Sequence, residues 1–114
     1  MILSLRRAAR LLTEARTLVL TGHIHADGDC LGSMLALYEH LTASGKRVSM
    51  LLDEEVPSMY RFLPYADRIR AAVPRQQEAD LLVALDASDA DRIAGVRAAV
   101  KAKVLNIDHH ISNT

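Results

Sequence analysis

Residues 17–29, Thr-Leu-Val-Leu-Thr-Gly-His-Ile-His-Ala-Asp-Gly-Asp, change character halfway along. The first five, TLVLT, are a short apolar, β-branched run that predicts a buried strand. Gly22 and Gly28 mark the polar remainder as a loop between that strand and a helix. Beyond it Leu31, Met34, Leu35, Tyr38 and Leu41 recur at helical spacing. The helix they imply ends near Ser44, with Gly45 as its stop signal. Strand, loop, helix is the repeating unit of a parallel α/β sheet.

Working outward, the same alternation continues. Upstream, Leu3, Leu5, Ala8, Ala9, Leu11, Leu12 and Ala15 predict an opening amphipathic helix with Arg and Glu outside. Downstream, residues 47–52 read as a second strand. Residues 56–74 hold all three prolines with Tyr60, Phe62 and Tyr65, and are expected to form a short helix and irregular turns. Residues 80–85 (DLLVAL) read as a third core strand. A short helix is expected after Ala90, residues 94–102 are expected to be helical apart from Gly95, and residues 103–107 read as a further strand. The order α-β-α-β-α-β-α-β predicts an α/β fold: a Rossmann-like parallel sheet with helices on both faces. No internal repeat, low-complexity tract or linker interrupts it.

Composition sets the bounds. A chain of 114 residues makes one domain with one real core. Lys plus Arg and Asp plus Glu balance at 14 each. Net charge therefore makes no case for a nucleic-acid or membrane surface. A small anionic substrate stays open, because a bound metal would add positive charge. The single cysteine, Cys30, excludes an internal disulfide and fits a reducing, cytoplasmic setting. No signal-peptide pattern opens the chain, and no apolar run approaches roughly 18 residues, so neither export nor membrane spanning is expected.

Chemistry concentrates at the strand ends. The first strand runs into Gly22-His23, the second into Asp53, the third into Asp86, and the last into Asp108-His109-His110. In open parallel sheets ligands bind at the carboxyl ends of the strands, so these residues are expected on one rim. Four of the five histidines lie in the two runs His23–Asp29 and Asp108–His110. His23, Asp27 and Asp29 on a loop could wrap a metal centre, and Asp86 could bridge two cations through its two oxygens. With His109 they make five candidate ligands, two imidazoles and three carboxylates. That mixture suits Mn²⁺, Fe²⁺, Co²⁺ or Zn²⁺ better than Mg²⁺, and without a cysteine cluster it is not a structural zinc site. Two cations roughly 3.5–4 Å apart would clamp a displacement at phosphorus.

Each motif also has a plain reading. A histidine before a helix is usually a cap or a surface residue, Asp-Gly-Asp is usually a turn, and Asp86 alone could be an N-cap. At the ends of three strands together, the metal reading outweighs these. Other residues are tempting but ordinary. Cys30 at a helix start is read as a small packing residue rather than a nucleophile. His25 is read as pointing away from the ligands, and His40 as surface. Tyr60, Phe62 and Tyr65 could stack bases but are read as packing. Arg92 near Asp89 is read as a surface pair. The glycine spacing matches neither a dinucleotide nor a Walker fingerprint.

The run His23-Ile-His-Ala-Asp-Gly-Asp-Cys-Leu-Gly-Ser33 resembles the first motif of the DHH phosphoesterase family. Asp86 within Leu85-Asp-Ala-Ser-Asp89 resembles the second motif. Asp108-His109-His110 with Ser112-Asn113 resembles the third. Within the family the likeness is nearest to the bacterial nanoRNase branch, oligoribonucleases that also dephosphorylate 3′-phosphoadenosine 5′-phosphate. The resemblance implies a phosphoesterase using two divalent metal ions, usually Mn²⁺. By motif, His23 and Asp27 would hold one metal, Asp29 and His109 the other, and Asp86 would bridge them. Asp108 would orient a neighbouring group. His110 would contact the substrate phosphate or assist the leaving group, and Asn113 would help shape the phosphate site. The substrate would be short RNA or a small phosphorylated nucleotide, with no membrane partner and with a homodimer among the assemblies admitted.

Two departures accompany the likeness. Ala26 stands where the family usually has proline, which costs loop stiffness and removes no ligand. The family's fourth motif, with another metal-binding aspartate, and its C-terminal substrate-binding domain have no counterpart in residues 1–114. The expectation is therefore an incomplete DHH domain, the N-terminal part of the catalytic domain, that binds metal weakly and turns over slowly. The same three motifs serve inorganic pyrophosphatases, single-strand exonucleases and cyclic-dinucleotide phosphodiesterases, which remain alternatives. So does a non-catalytic nucleotide- or metal-binding module. A nucleotide-binding Rossmann-like domain with Asp53 on a ribose ranks third, for want of the glycine fingerprint.

Overall fold

The computed structural model describes residues 5–22, 28–52, 55–71, 77–85, 96 and 100–107. Helix α1 (Leu5–Glu14) leads into strand β1 (Thr17–Gly22), then helix α2 (Gly28–Ala43) and strand β2 (Arg47–Leu52). Two 3-10 turns, Ser58–Tyr60 and Ala66–Arg68, precede strands β3 (Ile69–Ala71), β4 (Gln77–Leu85) and β5 (Val100–Ile107). The five strands form one sheet in the order β3-β2-β1-β4-β5, and every pairing is parallel.

Burial on both faces explains the near-continuous apolar runs. Leu18 and Leu20 of β1 join Met50, Leu52, Leu81, Val83, Leu85 and Leu105 in a core shared with α2. The helix contributes Leu31, Met34, Leu35, Tyr38 and Leu41, the five positions its spacing marks. Ala8, Leu11 and Leu12 of α1 pack against the same core. Val19, of opposite parity, joins Leu51, Leu82, Val96 and Val100 on the second face. Val96 is helical and fully buried there.

Helix α2 stops as expected. Gly45 takes the left-handed conformation at φ 87°. Its amide donates to the Thr42 carbonyl at 3.0 Å, and the next amide, Lys46, to Leu41 at 3.2 Å. These two bonds make a Schellman cap.

Three expectations need correction. β3 falls inside the segment read as turns; Ile69 pairs with Met50 and Ala71 with Leu52. β4 begins at Gln77 rather than at residue 80. Residues 100–102, expected at the end of a helix, open β5, where Val100 pairs with Gln77. Alanine and lysine favour helix there, but Val100 is buried on the second face and the parallel ladder satisfies the backbone; pairing overrides propensity. The short helix expected after Ala90 lies outside the described residues. Among the described residues no helix is long and apolar enough to cross a membrane.

Candidate functional site

The described strand ends converge on one rim. Gly22 of β1 is in register with Leu85 of β4, and Leu85 with Ile107 of β5. Leu52 closes β2 alongside, two positions after Met50, which pairs with Leu20. All strands being parallel, these are carboxyl ends. The strand order also reverses at β1: β2 lies on one side and β4, after the chain returns, on the other. Such a switch point opens a crevice at the carboxyl ends, where open α/β sheets bind ligands.

The three resembling motifs begin at these ends. Gly22, Leu85 and Ile107 are followed in sequence by His23, Asp86 and Asp108. Each is separated from its strand end by one peptide unit, about 3.8 Å between Cα atoms. Asp29 belongs to the first turn of α2. His23, Asp27, Asp86, Asp108, His109, His110 and Asn113 lie outside the described residues, as do His25, Asp53, Asp89 and Arg92. The fold thus gathers the three chain positions from which the motifs depart. Among the described residues no cluster of three His, Cys, Asp or Glu side chains could hold a metal ion.

Two described side chains on this rim were not singled out for the site. Thr21 is 0 % exposed, and among the described residues its hydroxyl has no hydrogen-bond partner. It shares the parity of Val19 on the second face and pairs with Ala84. An apolar residue would fit a strand position so deeply buried, so a hydroxyl there is chemically informative. Cys30 is the small packing residue expected of it, at 1 % exposure. Its thiol lies 3.6 Å from the Leu85 carbonyl oxygen, toward which it donates. The only sequence signal for this contact is the pair of small residues, Gly22 and Cys30.

The aromatic residues divide. Tyr60 packs against the core. Tyr65 sets its ring 5.5 Å from that of Tyr38, tilted by 54°. Phe62, by contrast, is 80 % exposed, so the expectation that it packs is corrected: it stands on the turn segment between β2 and β3 with its ring in solvent among the described residues. His40 is exposed on the last turn of α2, as expected. A cavity of about 450 Å³ beside the turns is lined by Val56, Ile69, Arg61, Glu55 and Asp67, and its Arg61–Glu55 pair at 3.6 Å is open to solvent.

The opposite rim carries a carboxylate of another kind. Asp80 Oδ2 accepts the backbone N–H of Arg16 at 2.9 Å and of Thr17 at 3.3 Å. The Thr17 hydroxyl in turn accepts from the Asp80 amide at 2.9 Å. These backbone donors, Arg16 first, hold the Asp80 carboxyl below its ordinary value. Its Oδ2 is committed to joining β1 and β4.

Comparison with known proteins points the same way. The model of the DHH family, N-terminal domain, matches residues 17–114. Over 91 residues the chain is 40% identical to the bifunctional oligoribonuclease and PAP phosphatase NrnA of Thermus thermophilus, covering 80% of this chain and 27% of that protein. An exopolyphosphatase-related protein from Bacteroides fragilis superposes with a TM-score of 0.77 at 24% identity, covering 93% of this chain and 34% of the other. That second likeness concerns the fold. The chain spans about a quarter of the length of the curated relative and a third of the solved structure.

Proposed function

This chain belongs to the DHH family through its N-terminal domain, and on that premise we propose that it carries most of the active site of a metal-dependent phosphoesterase. The substrates proposed are short oligoribonucleotides and 3′-phosphoadenosine 5′-phosphate, in keeping with the oligoribonuclease and PAP phosphatase named among its relatives. The observation that supports this most is the register row Gly22–Leu85–Ile107, from which the three motif segments depart at a topological switch point.

The residues fit a pair of divalent cations. His23, Asp27 and Asp29, with Asp86 and His109, offer nitrogen and oxygen donors in the mixture manganese accepts. Thr21 adds on the same rim a buried hydroxyl that has no partner among the described residues and could orient a ligand. Such cations, when bound, would lower the pKa of water and offset phosphoryl charge. In this reading His23 and Asp27 hold one ion, Asp29 and His109 the other, and Asp86 spans both. Asp108 orients its neighbour, while His110 and Asn113 bind the substrate phosphate, His110 also serving the leaving oxygen as a proton donor. The buried thiol of Cys30, in no disulfide, fits a reducing, cytoplasmic setting.

The test has two arms. Manganese-dependent hydrolysis is assayed in parallel on dinucleotides, 3′-phosphoadenosine 5′-phosphate and pyrophosphate, and the first two are expected to be cleaved. Exclusive cleavage of pyrophosphate would move the chain to another activity of the family. In the second arm, in a protein that spans the full length of the relatives, Asp86→Ala is expected to reduce bound manganese below two per chain and activity by more than about 100-fold, beyond the usual loss for groups that only support a ligand. Two manganese ions retained by this variant would remove the bridging role from Asp86.

A further inference from the structure

We propose that Cys30 is a positioning residue whose sulfur sets the spacing of the chain ends that carry the candidate metal ligands; the proposal rests on the metal reading of that rim. The sulfur lies 3.6 Å from the Leu85 carbonyl oxygen and is buried. A Cβ built on Gly22 would overlap the same sulfur, and would stand 3.5 Å from the Leu85 oxygen and 3.6 Å from Met34 Cε. One atom therefore fills the space between the last residue of β1, the last residue of β4 and the first turn of α2. In sequence Gly22 directly precedes His23, Leu85 directly precedes Asp86, and Cys30 directly follows Asp29.

That arrangement puts the thiol against both strand ends at once. Close-packed interiors transmit a change in volume rather than absorb it. A change at this sulfur passes to three candidate ligands, each through a single peptide unit. The S–H···O contact is weak, so the size of the group matters more than its hydrogen bond. Glycine at position 22 has the same cause. Any side chain there would force the sulfur to rotate away from Leu85 or α2 to shift from the β1–β4 seam.

The experiment is a titration of metal-free protein with Mn²⁺, on the parent chain, Gly22→Ala, Cys30→Ala, Cys30→Ser and the Gly22→Ala/Cys30→Ala double variant. Thermal unfolding is recorded in EDTA and in saturating manganese. Gly22→Ala is expected to weaken manganese binding about 10- to 100-fold, the range for a disturbed supporting shell. Cys30→Ala should weaken it about tenfold, and Cys30→Ser, closer in size, by less. In the double variant the new methyl takes the space the sulfur leaves, and affinity should return to within about threefold of the parent, a gross departure from additivity. Unchanged manganese affinity in the single variants, with equal losses of Tm in EDTA and in manganese, would reduce Cys30 to a packing residue. Additive losses in the double variant would overturn the spacing argument as well. Should Gly22→Ala fail to fold, the graded order of Cys30→Ser and Cys30→Ala carries the same test, and its absence overturns the proposal. A parent chain that binds no manganese would instead refute the metal reading itself, and this inference with it.

Discussion

The two rims of the sheet treat their polar groups in opposite ways. On the rim where the strands begin, polar atoms are tied to backbone. Asp80 holds the amides of Arg16 and Thr17, Lys46 reaches the carbonyls that end α1, and the Arg47 amide donates to the Arg16 carbonyl at 3.0 Å. On the rim where the strands finish, Gly22 stands against the Cys30 sulfur, and the Thr21 hydroxyl has no partner among the described residues. β4 shows the contrast within one strand, its first four residues half-buried or exposed and its last five buried. The lesson concerns carboxylates. An aspartate whose oxygens already serve backbone amides is structural. Asp86 follows the buried end of β4 in sequence and lies outside the described residues; the proposed function gives it to a metal.

The largest expected effect on stability comes from breaking the starting rim. Asp80→Ala should lower Tm by several degrees at neutral pH, because it unfastens the central β1–β4 pair. It should leave manganese affinity unchanged, and a loss of affinity would erase the distinction between the rims. The pH dependence has a definite sign. The folded-state pKa of Asp80 lies below its ordinary value of 3.8, so the contribution is fully present above that value. It is lost as pH falls through the lower, folded-state value. Parent and variant melting curves should therefore converge in strong acid and stay apart near neutrality.

Thr21→Val tests the finishing rim with a smaller change. Valine matches threonine in shape and favours a strand. Removing a buried hydroxyl that has no partner among the described residues should stabilise the metal-free chain by about 1 kcal/mol. If the hydroxyl supports the metal site, manganese affinity should fall at the same time. Denaturant unfolding with and without manganese reads both effects. Destabilisation of the metal-free chain would mean that Thr21 already has a partner in solution, and the contrast between rims would narrow.

What could be read before folding follows from which forces are local. Strand β1 and the buried ends of β2 and β4 were legible because burial on two faces writes an unbroken apolar run. The end of α2 was legible because Gly45 supplies a left-handed conformation that other residues resist. β3 was not, since Ile-Arg-Ala is only three residues long, half-buried or exposed, and exists by pairing with β2. The start of β5 was misread because Ala98, Ala99 and Ala102 speak for helix locally, while its partner Gln77 lies more than twenty residues away. For the site, the identity of the donors was legible from the crowding of histidine and aspartate in two runs. The Cys30–Leu85 contact was not, because it joins residues separated by 55 positions. Neither was the burial of the Thr21 hydroxyl without a partner among the described residues, which depends on what the two neighbouring strands bring around it.

The smallest effect belongs to Lys46, and it sharpens the comparison most finely. Its amide closes α2 while its ammonium donates to the Thr13 carbonyl at 2.8 Å and to that of Ala15 at 2.5 Å. One residue thus ends two helices, and a cation at a helix carboxyl terminus also meets the negative end of the dipole. Lys46→Met keeps the aliphatic stem and the amide and removes only the charge. The expected loss is about 0.5–1 kcal/mol, shrinking at high salt because the interaction is partly screened. A loss that ignored salt would point to packing of the stem instead. Manganese affinity should not move, since the residue belongs to the rim whose polar groups serve the backbone. If it did move, the rims would be coupled through β1, and a site described as local would have to be treated as a property of the whole sheet.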